Sequence, residues 1–362
     1  MKTLIIQRAC ANFREAFFDL LSTKHEIILI SKNNNLGKIK TPKNLTEKKY
    51  YKKIVDFSFK NYNIYPLLFF DLLRISPNII VSEGGQNTIN NLSVLLYSKI
   101  KNKKYFIWDL GRSYIEDKKS FLRSIYTIIY DYIVKNSEGI LTYNTQGETY
   151  FIGKFPNKKI TVLNNTIDTN LVFKIKNSID IAKQSFINSR FKMYKKRILY
   201  VGAINPQKNI EFLIDVINNL DKNDCIIILG DGEKDYIDTL KNKFLNYNVF
   251  FEGYKTMAEA VYYYNVSDFS ILPGLGGLAI NQSLAFGVPV LVNRADGSEY
   301  DLIKNNITGY RYDKLDDLIN FIKSQSVKDI VKMKESSEEI IKQNFTIEKM
   351  VQLFLMGTQE DE

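Results

Sequence analysis

The densest group of residues able to do chemistry is the stretch ILPGLGGLAINQSLAFGVPVLV, residues 271–292. Gly274, Gly276 and Gly277 crowd a turn directly ahead of a helix-period segment that opens at Leu278 and carries Gln282. Backbone N–H groups at such a helix start, reinforced by the helix dipole, attract an anion, and glycine lets a diphosphate come close to the backbone. A tight turn that holds nothing has the same spelling, so both readings stand. A second turn of this kind follows RILYV, residues 197–201, where Gly202 ends the run and Lys208 lies near the next helix start. Lys208 is placed to meet a phosphate, or is simply solvated.

These turns need strands before them and helices after them. Short β-branched runs at 3–6, 26–30, 79–81, 105–108, 139–143 and 160–163 alternate with helix-period segments, which is the βαβ rhythm of a parallel sheet. The rhythm resumes at 197–201, 225–229, 249–251, 269–272 and 288–292. The expected fold class is therefore α/β: two Rossmann-like, doubly wound domains with ligands at the carboxyl ends of their strands and a cleft between them. The expected divisions are a first domain over 1–170, a lysine-rich linker over 171–196, a second domain over 197–335 and a helical tail over 336–362. The amphipathic spacing of Ile340, Ile341, Phe345, Ile347, Met350, Val351 and Phe354 suits a tail that packs back on the first domain.

Composition narrows the chemistry. The 362 residues, 45% hydrophobic and 25% charged, form a folded protein rather than a disordered or fibrous one. Two cysteines, Cys10 and Cys225, make no disulfide framework, and a single histidine, His25, leaves no credible zinc site. His25 reads as a strand-start residue, which removes serine–histidine triads as well. No cofactor and no metal are expected. The N-terminal apolar run is too short for an export signal, and the apolar stretches at 64–73 and 125–134 are interrupted well short of the roughly 20 residues that span a bilayer. A cytoplasmic chain, peripheral at the inner face of the cell membrane, is the expectation.

The order of elements in the second half resembles a family. Val201-Gly202-Ala203-Ile204 with Lys208, Gly230-Asp231-Gly232, Val249-Phe250-Phe251-Glu252-Gly253, Ser267-Asp268, the 271–292 loop and helix, and Gly297-Ser298-Glu299 with Thr308-Gly309 are similar to the nucleotide-sugar domain of family 4 retaining glycosyltransferases of GT-B fold. The first half resembles the family more loosely, through Ile160–Asp168. The resemblance implies a retaining, metal-independent transfer of a sugar from a nucleoside diphosphate, UDP-sugar favoured, to a glycan acceptor. It implies donor contacts from Gly202, Gly230, Gly274, Gly276, Gly277, Leu278, Gln282 and Glu299, with Lys208 stabilising the leaving diphosphate. A lipid-linked acceptor in surface polysaccharide or glycoconjugate synthesis fits best.

The departures are as specific. Where the family usually carries two glutamates, this chain has Gly274 and Gln282, and Ala203 stands where the family has a phosphate-binding arginine. Replacement charge is expected from the first half: Arg8 and Arg14 after the first strand, Glu83 after the third, and Trp108-Asp109-Leu110-Gly111-Arg112 after the fourth. In that cluster Arg112 would serve the diphosphate and Asp109 an acceptor hydroxyl; an N-cap aspartate and a surface arginine are the plain alternative. A divergent active branch and a non-catalytic relative that binds a nucleotide or stabilises a partner transferase both fit the lost glutamates. A dinucleotide-dependent oxidoreductase fits less well, because Gly230–Asp235 is not G-x-G-x-x-G.

Net charge is +10. Lys48–Lys53 and Lys101–Tyr105 alternate cations with aromatics, as an anionic membrane surface or a lipid-linked acceptor would favour, though such runs are usually solvated faces. No nucleic-acid-binding module is present.

Overall fold

The computed structural model describes residues 1–37, 39–59, 62–111 and 121–359. It divides into two compact units, residues 1–165 with 347–362, and residues 166–346.

The first unit is built on β1 (Thr3–Ala9), β2 (Ile27–Lys32), a short hairpin of β3 (Phe57–Phe59) and β4 (Tyr62–Ile64), β5 (Ile79–Glu83), β6 (Lys104–Asp109), β7 (Gly139–Thr142) and β8 (Lys159–Val162). Its helices are α1 (Glu15–Lys24), α2 (Leu68–Ile75), α3 (Thr88–Lys101), α4 (Phe121–Asn136) and α5 (Thr145–Lys154). The main sheet is parallel, in the order β2-β1-β5-β6-β7-β8. Alternate strand residues fill opposite faces: Ile5, Leu29, Val81, Phe106 and Leu141 on one, Leu4, Ile6, Ile30, Ile80, Tyr105 and Ile107 on the other. Burial on both sides explains why these strands read as unbroken apolar runs.

The second unit opens with α6 (Thr169–Lys176) and α7 (Ile181–Phe191), followed by β9 (Arg197–Val201), α8 (Phe212–Asn219), β10 (Cys225–Leu229) and α9 (Lys234–Lys243). It continues with β11 (Val249–Gly253), α10 (Met257–Val266), β12 (Phe269–Leu272), α11 (Leu278–Ala285), β13 (Val290–Val292) and α12 (Glu299–Leu302). It closes with β14 (Gly309–Arg311), α13 (Leu315–Ser324) and α14 (Val327–Asn344). The sheet order is β11-β10-β9-β12-β13-β14, again parallel. Both units are thus Rossmann-like doubly wound sheets, as the strand rhythm predicts, although the β3–β4 hairpin and β14 are not anticipated by it.

The expected divisions need correction. Residues 171–196 are not a linker: Asp168 and Asp180 cap α6 and α7, and Val172, Ile187 and Phe191 enter the core of the second unit. Their lysines occupy the outer faces, which makes the stretch read as polar. The tail does not begin at 336 either, because α14 runs unbroken to Asn344 and buries Ile330, Met333, Ile340 and Ile341 in the second unit. Only α15 (Ile347–Thr358) returns, placing Ile347, Met350, Val351 and Phe354 in the core of the first unit against α1.

Candidate functional site

The strand order of the second unit reverses between β9 and β12, so the loops that leave these neighbours diverge and open a crevice at their carboxyl ends. Both glycine turns singled out in the sequence lie there. The loop after β9 forms one 3₁₀ turn at Pro206–Lys208, and the Lys208 ammonium donates to the Leu275 carbonyl in the loop after β12. The two loops touch so closely that a Cβ on Gly274 would stand 2.6 Å from the Lys208 carbonyl carbon. A side chain at 274 would require one of these loops to move, so glycine at 274 and the close packing of the loops go together.

Gly276 has φ +151° and lies beside the Lys208 Nζ, which would sit 2.9 Å from a Cβ there. Gly277 caps α11, with Leu278 as its first residue and Leu278's side chain packed against the core. Burial lowers the Lys208 pKa from the usual lysine value, with Asp296 drawing it back up. The arrangement places a cation beside the amino end of a two-turn helix, surroundings that favour an anion.

One carboxylate already faces it. The Asp296 Oδ atoms lie against the Gly277 α carbon, 2.1 and 2.3 Å from where a Cβ would be, held by Ser298 N–H and Oγ–H donors at 3.2 and 2.6 Å. Sequence reading passes over Asp296; its only local signal is the Asp-Gly-Ser turn ahead of Glu299. Glu299 itself is fully buried and accepts from the Ala295 and Gly297 amides at 3.1 and 2.8 Å, so it holds the loop that carries Asp296 rather than offering its carboxylate to a ligand.

The remaining donor-side residues separate. The Gly202 and Gly230 amides extend the sheet, donating to Leu229 and Gly253 carbonyls, and a Cβ on Gly230 would meet the Gly202 oxygen at 1.9 Å. Their role is close packing of the strand ends. Gln282 is half-exposed one turn into α11. Its neighbour Asn281 is buried, and neither its Oδ1 nor its Nδ2 has a partner.

In the first unit the strand order reverses between β1 and β5, and Arg8 and Glu83 meet at that point. Arg8 donates from Nε and from an Nη to Glu83 Oε1, at 3.0 and 2.6 Å. Arg14 is 7% exposed, its guanidinium 4.3 Å from the centre of the Trp108 ring and 5.0 Å from that of Tyr143. Trp108 is not an acceptor-side surface residue: it is 1% exposed, packed between Phe17 and Phe354. The alternation of β6 turns its side chain inward, beneath Arg14. Asp109 accepts from Tyr130 Oη at 2.6 Å and Gly111 N at 2.9 Å, and its Oδ2 lies against Gly84. Burial raises its pKa, opposed by those two donors. Its carboxylate ties α4 to the β5 and β6 loops instead of facing outward. Arg112 lies outside the described residues.

His25 hydrogen-bonds Thr3 Oγ1 at 2.9 Å, at the amino end of β1 and away from the strand ends that carry these loops. Cys10 and Cys225 are buried free thiols, each pushed up to about 12 by burial, and are not nucleophiles. Among the described residues no cluster of three or more His, Cys, Asp or Glu could hold a metal ion.

Comparison with known proteins bears on the second unit first. Residues 182–345 match the family of glycosyl transferases group 1. The group 1 match covers just under half of the chain and includes Lys208, the 273–277 loop, α11 and Asp296. Among curated proteins none matches the chain. Of solved structures, Anabaena Alr3699/HepE in complex with UDP is similar over 98% of both chains, at TM-score 0.73 and 15% identity. A glycosyltransferase from Rickettsia africae ESF-5 is similar at TM-score 0.72 and 16% identity, over 98% of this chain and 97% of that one. A point mutant of S. aureus TarM, in complex with Fondaparinux, alpha-GlcNAc-glycerol and UDP, is similar at TM-score 0.59 and 15% identity, over 83% of this chain and 60% of that one. At such identities the likeness establishes the fold, GT-B, for both units.

Proposed function

We propose that the chain is a retaining glycosyltransferase that moves a sugar from a nucleoside diphosphate, UDP-sugar favoured, to a glycan acceptor, lipid-linked, in surface polysaccharide or glycoconjugate synthesis. The observation that carries this reading is the Lys208 ammonium beside the amino end of α11, inside the residues that match the group 1 family. UDP in the solved Alr3699/HepE and TarM structures supports the choice of base.

In the proposed reaction the bond between the donor's anomeric carbon and the diphosphate oxygen breaks, and a bond from that carbon to the acceptor hydroxyl oxygen forms on the same face. The acceptor proton passes to the departing phosphate oxygen. Charge grows on the diphosphate as the bond breaks, and there the Lys208 ammonium and the α11 amides lower the barrier. No histidine or protein nucleophile is called for. Gln282 is proposed to bind a ribose hydroxyl.

A second reading, a non-catalytic relative that binds a nucleotide or stabilises a partner transferase, is favoured by Ala203 and by the Asp296 carboxylate at the helix end. The experiment that separates them is turnover of radiolabelled UDP-sugars with a membrane glycan fraction, with and without chelator. Labelled product absent with Lys208→Ala supports the enzyme; UDP binding without transfer to any fraction supports the relative.

A further inference from the structure

α2, α3 and α4 cover one face of the first unit's sheet, α3 between the other two. Their inner residues, among them Leu68, Leu72, Val94, Leu95 and Ile133, are buried as a core demands. Their outer residues are also apolar. On α3, Ile89, Leu92, Leu96 and Ile100 recur at helical spacing with exposures of 43–58%, and Lys99 and Lys101 follow in its last turn. On α4, Ile125, Ile128 and Tyr132 repeat the pattern, Ile128 being 68% exposed; on and just before α2, Leu67, Phe70 and Leu73 do so. An amphipathic helix turns one apolar stripe to the core, and these three neighbouring helices each carry a second, exposed one, which marks an interaction surface.

Among the described residues, several cations border this face. A groove of about 840 Å³ runs between residues 52–55 and the outer side of α2, with Lys52, Lys53 and Arg74 beside Ile54, Val55, Leu67 and Phe70, and Asp71 as its carboxylate. Lys135 ends α4, whose Asp131 is paired with Lys154 at 2.6 Å. α3 contains no acidic residue.

The aromatic–cation runs read from the sequence do not themselves build this face. Tyr50 and Tyr105 are buried, and Lys48 is bound to Glu15 and Asp19 at 2.8 and 2.7 Å. Of those runs, the exposed Lys52 and Lys53 line the groove against α2, and the exposed Lys101 ends α3. Leucine, isoleucine, phenylalanine and tyrosine flanked by lysine and arginine match the layers of an anionic bilayer, hydrocarbon beneath phosphate. Among the described residues no helix is long and apolar enough to cross a membrane, so the contact is interfacial.

We infer that the outer face of α2, α3 and α4, with the 52–55 groove, docks the first unit on the surface of an anionic lipid bilayer. This deepens the proposed use of a lipid-linked acceptor, by placing the first unit where such an acceptor resides, yet it is tested without donor or acceptor. Flotation of the full chain with vesicles of phosphatidylcholine alone, and of phosphatidylcholine with phosphatidylglycerol, reads the contact directly. The expected result is recovery with the anionic vesicles, weakened by salt and by about fivefold for each flanking cation neutralised, as in Lys52→Gln or Lys99→Gln. The double substitution Leu96→Asp with Ile128→Asp abolishes flotation while the thermal shift given by UDP stays unchanged. No flotation with anionic vesicles overturns the inference. So does sedimentation as a dimer that the same double substitution converts to monomer without any vesicle binding, since the face would then be covered by a second copy. Loss of the UDP shift in the unmodified chain, with flotation intact, would overturn the donor reading alone.

Discussion

At the scale of single residues, Gly274 turns an apparent defect into a constraint. Its α carbon lies so close to the Lys208 backbone that Gly274→Glu cannot restore a family glutamate without displacing a loop. The expected outcome is no gain in turnover and a loss of about 1–3 kcal/mol in thermal or urea unfolding, the cost of overpacking. Asp296 makes a second case. A carboxylate at the amino end of α11 lies where the proposed reading needs a phosphate oxygen, and on that reading it opposes nucleotide binding. Asp296→Asn should tighten UDP by roughly three- to tenfold in calorimetry; unchanged or weaker affinity would make Asp296 a positioning residue for the loop instead. Lys208 supplies a pH dependence with a definite sign. Burial holds its pKa below the unfolded value, so the protonated form costs stability, and the unliganded protein gains stability as pH rises through that lowered value. Nucleotide affinity should fall over the same window, at lower pH than an ordinary lysine would dictate. Lys208→Arg, which stays charged, should remove that alkaline limb from a titration of UDP affinity against pH.

At the scale of elements, α15 is the piece whose removal says most. Phe354 lies edge-on to Phe17 at 5.5 Å and tilted to Trp108 at 5.8 Å, so the last helix closes the same core that supports Arg14 and the β1 loop. Phe354→Ala should cost about 3–5 kcal/mol and lower the unfolding temperature by ~10 °C in calorimetry. It should leave the UDP affinity of the second unit unchanged, because the proposed anion site is built from α11 and the loops after β9, β12 and β13, all within the second unit. Amphipathic spacing from Ile340 onward foretells that a helix docks. Where it breaks is not legible, because Asn344–Thr346 differ from their neighbours only in which core the flanking residues find.

At the scale of the whole molecule, the alternation of β-branched runs with helix-period segments is enough to read two parallel sheets, since both faces of each are buried and every strand shows as an apolar run. The polar look of 171–196 misleads because two capped helices expose lysines and hide only Val172, Ile187 and Phe191. Of the candidate site, the turns that carry Lys208, Gly276 and Gly277 are legible as glycine-rich helix starts, whereas their meeting across two loops is a product of the fold. Asp296 and the buried Asn281 are not, because only the tertiary fold brings them to or beneath α11. Trp108 and Asp109 look like surface chemistry for the converse reason: a strand end in a parallel sheet alternates inward and outward, and nothing in the local sequence tells which residue a neighbouring helix will cover. The anion site at α11 is the centre of the proposed function. The measurement that tests it most directly is calorimetric titration of UDP, with chelator present, into the unmodified chain and into Lys208→Ala. Binding by the unmodified chain, weakened about tenfold or more by the substitution with the fold intact, is the expected result. Absence of UDP binding, or equal affinity in the two proteins, would contradict it.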